Sequence, residues 1–189
     1  MTPIRTERLI LRNWRDDDRP LFHRINSDDQ VMEFFDFRRD RQASDALLDE
    51  LRDDIDADGH GFAAIEIAAT GECAGFAGIM EADLEPHLPA GAIEIGWRLA
   101  PEYWGKGIVS EAAEAWLAYA FVTLGLDEIV SYAVATNDRS TAVMRRIGMT
   151  LVPGAEFDHP KIPDSHPHLK RFVVYRITRD AWLKRKGAA

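Results

Sequence analysis

Trp97-Arg98-Leu99-Ala100-Pro101-Glu102-Tyr103-Trp104-Gly105-Lys106-Gly107-Ile108 is the stretch on which the reading of this chain turns. Just before it, Ile93, Ile95, Trp97 and Leu99 alternate with Glu94, Gly96 and Arg98, which predicts a strand over 92–99 with the two sets on opposite faces. Just after it, apolar residues from Val109 through Ala112, Ala113, Trp116 and Leu117 to Leu124 keep helical spacing, predicting a five-turn helix that ends at Gly125. A strand end, a glycine-bearing loop and a helix start in that order suit an anion. The first-turn N–H groups lack intrahelical acceptors and the helix N-terminus is partially positive. Gly105 and Gly107 let the backbone approach a phosphate or pyrophosphate closely, and Lys106 adds charge. A tight strand-to-helix turn with no ligand is the alternative.

Two familiar phosphate motifs do not match. A Walker loop needs four residues between its glycines and then Lys-Ser or Lys-Thr. A dinucleotide fingerprint needs a third small residue, where this chain has Ser110, and an early βαβ unit, whereas here the loop follows apparent antiparallel strands.

Outward from the loop the elements alternate irregularly. A strand is expected over Thr6–Trp14, with Leu9 and Leu11 on one face and Arg8, Ile10 and Arg12 on the other. Asp16-Asp17-Asp18 offers a helix N-cap. A short helix is expected over Asp28–Phe35, and another from Ser44 or Asp45 with an acidic, solvated face. Phe62–Ala69 and Ala74–Met80 read as a hairpin, Ile129–Ala135 as a buried strand, and Asn137 or Asp138 as the cap of a short helix closing at Gly148. Met149–Val152 and Arg171–Ile177 form a last strand pair around a Pro- and His-rich loop. This order is α+β, not a regular βαβ array.

Composition narrows the class. With 46% hydrophobic and 29% charged residues in 189, the chain suits one globular domain, and disorder as its main theme is excluded. One cysteine, Cys73, excludes an internal disulfide framework or a cysteine-rich zinc module and suits a reducing compartment. Its 32 acidic against 23 basic residues give −9, the wrong sign for neutralising nucleic-acid phosphates. No run approaches the ~20 apolar residues of a membrane span, and Met1-Thr2-Pro3-Ile4-Arg5 lacks a secretory-signal pattern. The expectation is a cytoplasmic protein with neither nucleic-acid nor membrane partners.

Three blocks carry a family resemblance. Glu102-Tyr103-Trp104-Gly105-Lys106-Gly107 resembles the Arg/Gln-x-x-Gly-x-Gly/Ala loop of the GNAT superfamily of N-acetyltransferases, with Glu102 departing from the usual Gln or Arg. Thr6-Glu7-Arg8-Leu9-Ile10-Leu11-Arg12 is similar to the opening strand of the ribosomal-protein N-acetyltransferase (Rim-type) family. Asn137-Asp138-Arg139-Ser140 through Ile147-Gly148-Met149 is similar to its Asn-x-x-Ser … Gly-Phe/Met segment. The blocks keep the family's order over about residues 6–178, within a single domain spanning 1–189.

The resemblance implies the GNAT fold: a mixed, mostly antiparallel sheet splayed at the cofactor strand and flanked by helices. It implies acetyl-CoA as co-substrate and no metal. An amine attacks the thioester directly, through a tetrahedral intermediate, and the CoA thiolate leaves. Carried over, Trp97, Arg98 and Leu99 line the pantetheine arm, and Trp104, Gly105, Lys106, Gly107, Ile108 and Val109 hold the pyrophosphate. Asn137 contacts the cofactor arm or simply caps its helix. Glu94 is the expected general base, the alternative being an ion pair with Arg98; Ser140 is the expected general acid, the alternative being a structural serine. The expected acceptor is a protein or peptide N-terminal α-amine, with amino acids, polyamines and antibiotics as small-molecule alternatives. A homodimer stays open, since many relatives pair.

Other residues invite weaker readings. His159, His166 and His168, broken up by prolines, fit solvent-facing loop positions better than metal ligation. Phe34, Phe35 and Phe37 read as core packing or as a wall of the acceptor pocket. Tyr103, Tyr132 and Tyr175 read as packing with a spare hydroxyl, and Cys73 as buried and unreactive. A non-catalytic acyl-CoA sensor and a nucleotide-binding domain are the rival functions.

Overall fold

Leu9 and Leu11 are fully out of water, and they fix the inward face of strand β2 (Leu9–Arg12), which pairs with the short β1 (Ile4–Arg5). The computed structural model describes residues 1–187, which pack as two compact units: residues 1–80 with 96–115, and residues 81–95 with 116 onward.

In the first unit β2 runs antiparallel to β3 (Phe62–Ile67), pairing Leu11 with Ile65, and β3 runs antiparallel to β4 (Cys73–Glu81). Helices α1 (Arg19–Ser27) and α2 (Arg41–Asp58) bury Phe22, Ile25, Leu48 and Ile55 against this framework. Trp14 stands edge-on to Phe22 at 4.7 Å and gives its indole N–H to the Phe62 carbonyl at 2.8 Å, joining aromatic packing to a satisfied polar group. Arg12, on the face opposite Leu9 and Leu11 as alternation places it, is nevertheless only 5% exposed. Its guanidinium donates to Asp18 at 2.7 and 3.0 Å and to Glu66 at 2.6 Å. Buried charge of this kind needs such partners.

The expected helix over Asp28–Phe35 is a run of turns. The Asp28 carboxylate accepts the Gln30 and Val31 N–H groups at 2.9 and 3.0 Å, a local bond that competes with a helical ladder. Helix α2 starts three residues before Ser44, because Asp40 caps it by accepting the Ala43 N–H at 2.8 Å.

Strand β5 (Ile93–Leu99) passes from the second unit into the first, and α3 (Ile108–Ala118) returns the chain to the second. The five-turn expectation for α3 is shortened: Tyr119–Thr123 is a π turn, with Leu124 N–H donating to Tyr119. Ala120 and Phe121 stay buried through it, so the apolar spacing reported burial and not the hydrogen-bond pattern.

The second unit is built on β6 (Glu128–Val134) and β9 (Arg171–Thr178), antiparallel along all seven residues of β6. Helix α4 (Asp138–Arg146) follows β6. The short strands β7 (Thr150–Leu151) and β8 (Phe157–Asp158) both pair with β9, which α5 (Arg179–Gly187) follows; β8 is an addition to the sequence reading. Val130, Phe157 and Val174 pack with Leu84 and Leu88 in its core. Strand β5 joins β6 in parallel through one pair, Glu94 with Val130, which makes the sheet mixed. One residue further on, the Ser131 hydroxyl donates to the Ile95 carbonyl at 2.8 Å. Among the described residues no helix is long and apolar enough to cross a membrane.

Candidate active site

In the first unit, Trp97, Arg98 and Leu99 form the end of β5. A β-carbon on Gly75 would stand 2.2 Å from the Arg98 carbonyl oxygen, so the approach of β4 to this strand end requires glycine. The Trp104 indole N–H donates to the Leu99 carbonyl at 2.9 Å and turns the loop back onto the strand. Gly105 and Gly107 have φ of +72° and +75°, a conformation side chains with a β-carbon rarely take, and nothing stands within 4 Å of where a Gly105 β-carbon would be. Glu111 N–H donates to the Gly107 carbonyl at 3.1 Å and opens the ladder of α3. The N–H groups before it, Ile108 and Val109 among them, lie outside that ladder. Lys106 is exposed, with its ammonium 5.7 Å from the Tyr103 ring. Backbone donors, open space and a nearby cation are what a pyrophosphate group requires, so this loop fits a pyrophosphate-bearing ligand.

The loop has a brace that sequence reasoning missed. Arg8 donates to the Lys106 carbonyl at 3.0 Å and to Glu111 at 2.6 Å, while the Thr6 hydroxyl donates to the same carboxylate at 2.5 Å. Glu102 is held by the Arg24 guanidinium, whose hydrogen bonds keep its carboxyl below the usual range. Its charge is thereby answered within the protein.

In the second unit, Glu94 is half-buried on β5, and the Tyr132 hydroxyl on β6 donates to it. Burial raises the Glu94 carboxyl to about 7, against the opposing pull of the Tyr132 bond. Arg98 gives Nη1 to Asn26 Oδ1 at 2.5 Å, so Glu94 and Arg98 are each engaged with other partners. Asn137 caps α4: its Oδ1 accepts the Ser140 N–H at 3.0 Å. The Ser140 hydroxyl is half-buried and makes no hydrogen bond among the described residues.

The remaining candidates separate. Tyr132 does more than pack, Tyr175 accepts from Arg145 at 3.1 Å, and Tyr103 reaches Glu72 at 3.5 Å. His159 packs on Phe172 at 4.8 Å, and His166 lies 6.1 Å from His168. Among the described residues no three His, Cys, Asp or Glu side chains converge as metal ligands. Burial, with the Asp18 charge, pushes the Cys73 thiol up to about 12, far from a thiolate. Phe35 and Phe37 are 36% and 41% exposed, so the core-packing reading fails for both.

The acetyltransferase (GNAT) domain family matches residues 8–150. The chain belongs to that family. It is 32% identical to the acetyltransferase of Agrobacterium tumefaciens strain C58, whose crystal structure superposes with a TM-score of 0.71 over 94% of each chain. It is 37% identical over 92 residues to the FsC-acetyl coenzyme A-N(2)-transacetylase of Aspergillus fumigatus, covering 48% of this chain and 38% of that one. It is 35% identical over 89 residues to a Bacillus subtilis protein named "Putative ribosomal N-acetyltransferase YdaF", covering 47% and 46%. The matches thus span less than half the length of these two curated relatives.

Proposed function

We propose that this protein, with residues 1–189 serving as one catalytic domain, transfers an acetyl group from acetyl-CoA to a primary amine, foremost the N-terminal α-amine of a protein or peptide. The observation that carries the reading is the β5–loop–α3 segment, where two glycines at positive φ precede the first turn of a helix. Family membership supports the chemistry. The α-amine is favoured by the resemblance of the Asn137–Met149 block to the ribosomal-protein type and by the name of the YdaF relative.

Bound acetyl-CoA supplies an acetyl thioester. The residues do the rest. The main chain of Gly105–Val109, with Lys106, binds the pyrophosphate, and Trp104 holds the loop on the strand. Trp97, Arg98 and Leu99 present main-chain groups to the pantetheine arm, an N–H near Trp97 polarising the thioester carbonyl. Asn137, whose Oδ1 serves its helix, offers Nδ2 to the arm. Glu94 takes the ammonium proton of the acceptor; a carboxyl near 7 is half ionised at neutral pH and suits that task. Ser140 gives its hydroxyl proton to the departing sulfur and takes in its place the proton that the nitrogen sheds as the tetrahedral intermediate collapses to the amide.

The test is release of CoA thiol from acetyl-CoA against short peptides with different first residues, amino acids, polyamines and aminoglycosides, for wild type and Glu94→Gln. Release with peptides that is lost in Glu94→Gln is the expected result. Release confined to another amine class would move the acceptor, and CoA binding without release for any amine would leave a sensor.

A further inference from the structure

In an acidic protein most arginines find acids, and the first unit follows that rule: Arg8, Arg12, Arg19, Arg24 and Arg52 all stand within 3.0 Å of a carboxylate oxygen. Arg5, Arg39 and Arg98 meet no carboxylate among the described residues; Arg5 is exposed, whereas Arg39 and Arg98 are partly withdrawn from water.

The two converge on one buried residue. Asn26, fully buried, gives Nδ2 to the Phe22 carbonyl at 2.7 Å, which orients its Oδ1 toward Arg98 Nη1 at 2.5 Å. Its main-chain carbonyl accepts the Arg39 N–H at 2.9 Å. The Arg98 guanidinium lies 4.4 Å from the Phe35 ring centroid and the Arg39 guanidinium 4.8 Å from that of Phe37. Those two rings are edge to face at 5.8 Å. A guanidinium stacked on a ring uses its face for the aromatic contact and keeps its in-plane donors for an anion. Arg98 has Nε and Nη2 left without partners among the described residues, and Arg39 Nε is buried without one. Burial and the Arg39 charge lower the Arg98 guanidinium to about 10, which leaves Arg98 a cation at neutral pH, repelled by its neighbour. An arrangement of two neighbouring cations, half-exposed aromatic walls and unanswered donors is completed by an anion that accepts several hydrogen bonds at once.

We propose that Arg39 and Arg98 bind a carboxylate on the amine acceptor, so that the substrates are aminocarboxylates. This rests on the acetyl-transfer reading above and narrows its acceptor. The carboxylate belongs either to a free amino acid or to an acidic side chain near a peptide N-terminus.

Matched acceptors test it. Each free amino acid is compared with its amide, and each peptide carrying Asp or Glu at its second position with the Asn or Gln version. Acetyl transfer gives kcat/KM, and calorimetry gives binding of the corresponding N-acetyl products. CoA binding is titrated separately, and Arg39→Met and Arg98→Met are checked by thermal melting. The expected result is a preference of wild type for the carboxylate member of about tenfold or more, in one arm or the other, in both readouts, falling toward unity in each variant. The arm that shows it identifies the carboxylate source. Equal treatment of acid and amide by wild type overturns the proposal while leaving acetyl transfer standing, and needs no variant. A preference that survives in a folded Arg39→Met also overturns it. Failure of wild type to bind CoA overturns the acetyl-transfer reading, and the proposal with it.

Discussion

The Tyr132 hydroxyl donates a hydrogen bond to the Glu94 carboxylate across neighbouring parallel strands, and no cation among the described residues neutralises the pair. Desolvation therefore outweighs the hydrogen bond, and the carboxyl titrates at about 7 instead of near 4.5. If Glu94 is the base, acetyl transfer rises with pH through about 7 on the acid limb. In Tyr132→Phe the bond that favours the ionised form is gone, so that limb moves to higher pH. A pH profile of kcat/KM for the two proteins checks both statements, and an unmoved limb would separate Glu94 from the titration.

The same carboxyl sets a stability trend. Its folded pKa is raised, so the native state holds the proton more tightly than the unfolded chain, and stability from this group falls as pH rises from about 4.5 to about 7. Above that window Glu94→Gln removes the strain of a buried anion and is expected to stabilise by up to about 3 kcal/mol. Denaturant unfolding of wild type and variant at pH 5 and pH 8 measures it: the difference should be small at the lower pH and larger at the higher.

Gly107→Glu is expected to abolish CoA binding in calorimetry, because a carboxylate would stand beside the main-chain donors proposed for the pyrophosphate. The positive φ adds strain of about 1–2 kcal/mol for any residue with a β-carbon. Gly107→Ala is the control: it carries that strain without the charge, so affinity that falls equally in both would trace the loss to the backbone.

How much of this was visible in sequence depends on the range of each interaction. Strand β5, the loop and the start of α3 were legible because alternation, two glycines and helical spacing are local signals. The Asn137 cap and the Gly148 stop were legible for the same reason. The burial of Arg12 was not legible, because one of the carboxylates that hold it out of water, Glu66, is 54 residues away in sequence. The brace from Thr6 to Glu111 spans 105 residues and leaves no periodic trace. The Tyr132 contact with Glu94 depends on the register of two parallel strands, which alternation on either strand does not fix.

The buried triad makes Arg12 a stability residue. Asp18→Ala leaves the guanidinium in low dielectric with only Glu66 as its acid partner and an empty space beside it, and removal of one member of a buried pair costs about 3–5 kcal/mol. Chemical denaturation is expected to show a loss of that order, whereas Asp158→Ala, which breaks the exposed contact with Arg171, should fall within about 0.5 kcal/mol of wild type.

Asn137 and Ser140 are adjacent on one helical turn yet should behave oppositely. The Asn137 side chain accepts the Ser140 N–H, so Asn137→Ala is expected to lower stability by about 1 kcal/mol, the usual cost of a lost cap. The Ser140 hydroxyl contributes no hydrogen bond to the fold among the described residues, so Ser140→Ala should melt like wild type. If that hydroxyl is the acid that protonates the leaving sulfur, kcat should nevertheless fall by about 100-fold or more, with CoA affinity unchanged. Ser140→Cys restores an acidic proton at nearly the same place and should recover part of the rate. A Ser140→Ala enzyme that keeps full kcat would assign the proton to another donor, and a variant that loses stability in step with Asn137→Ala would make Ser140 structural.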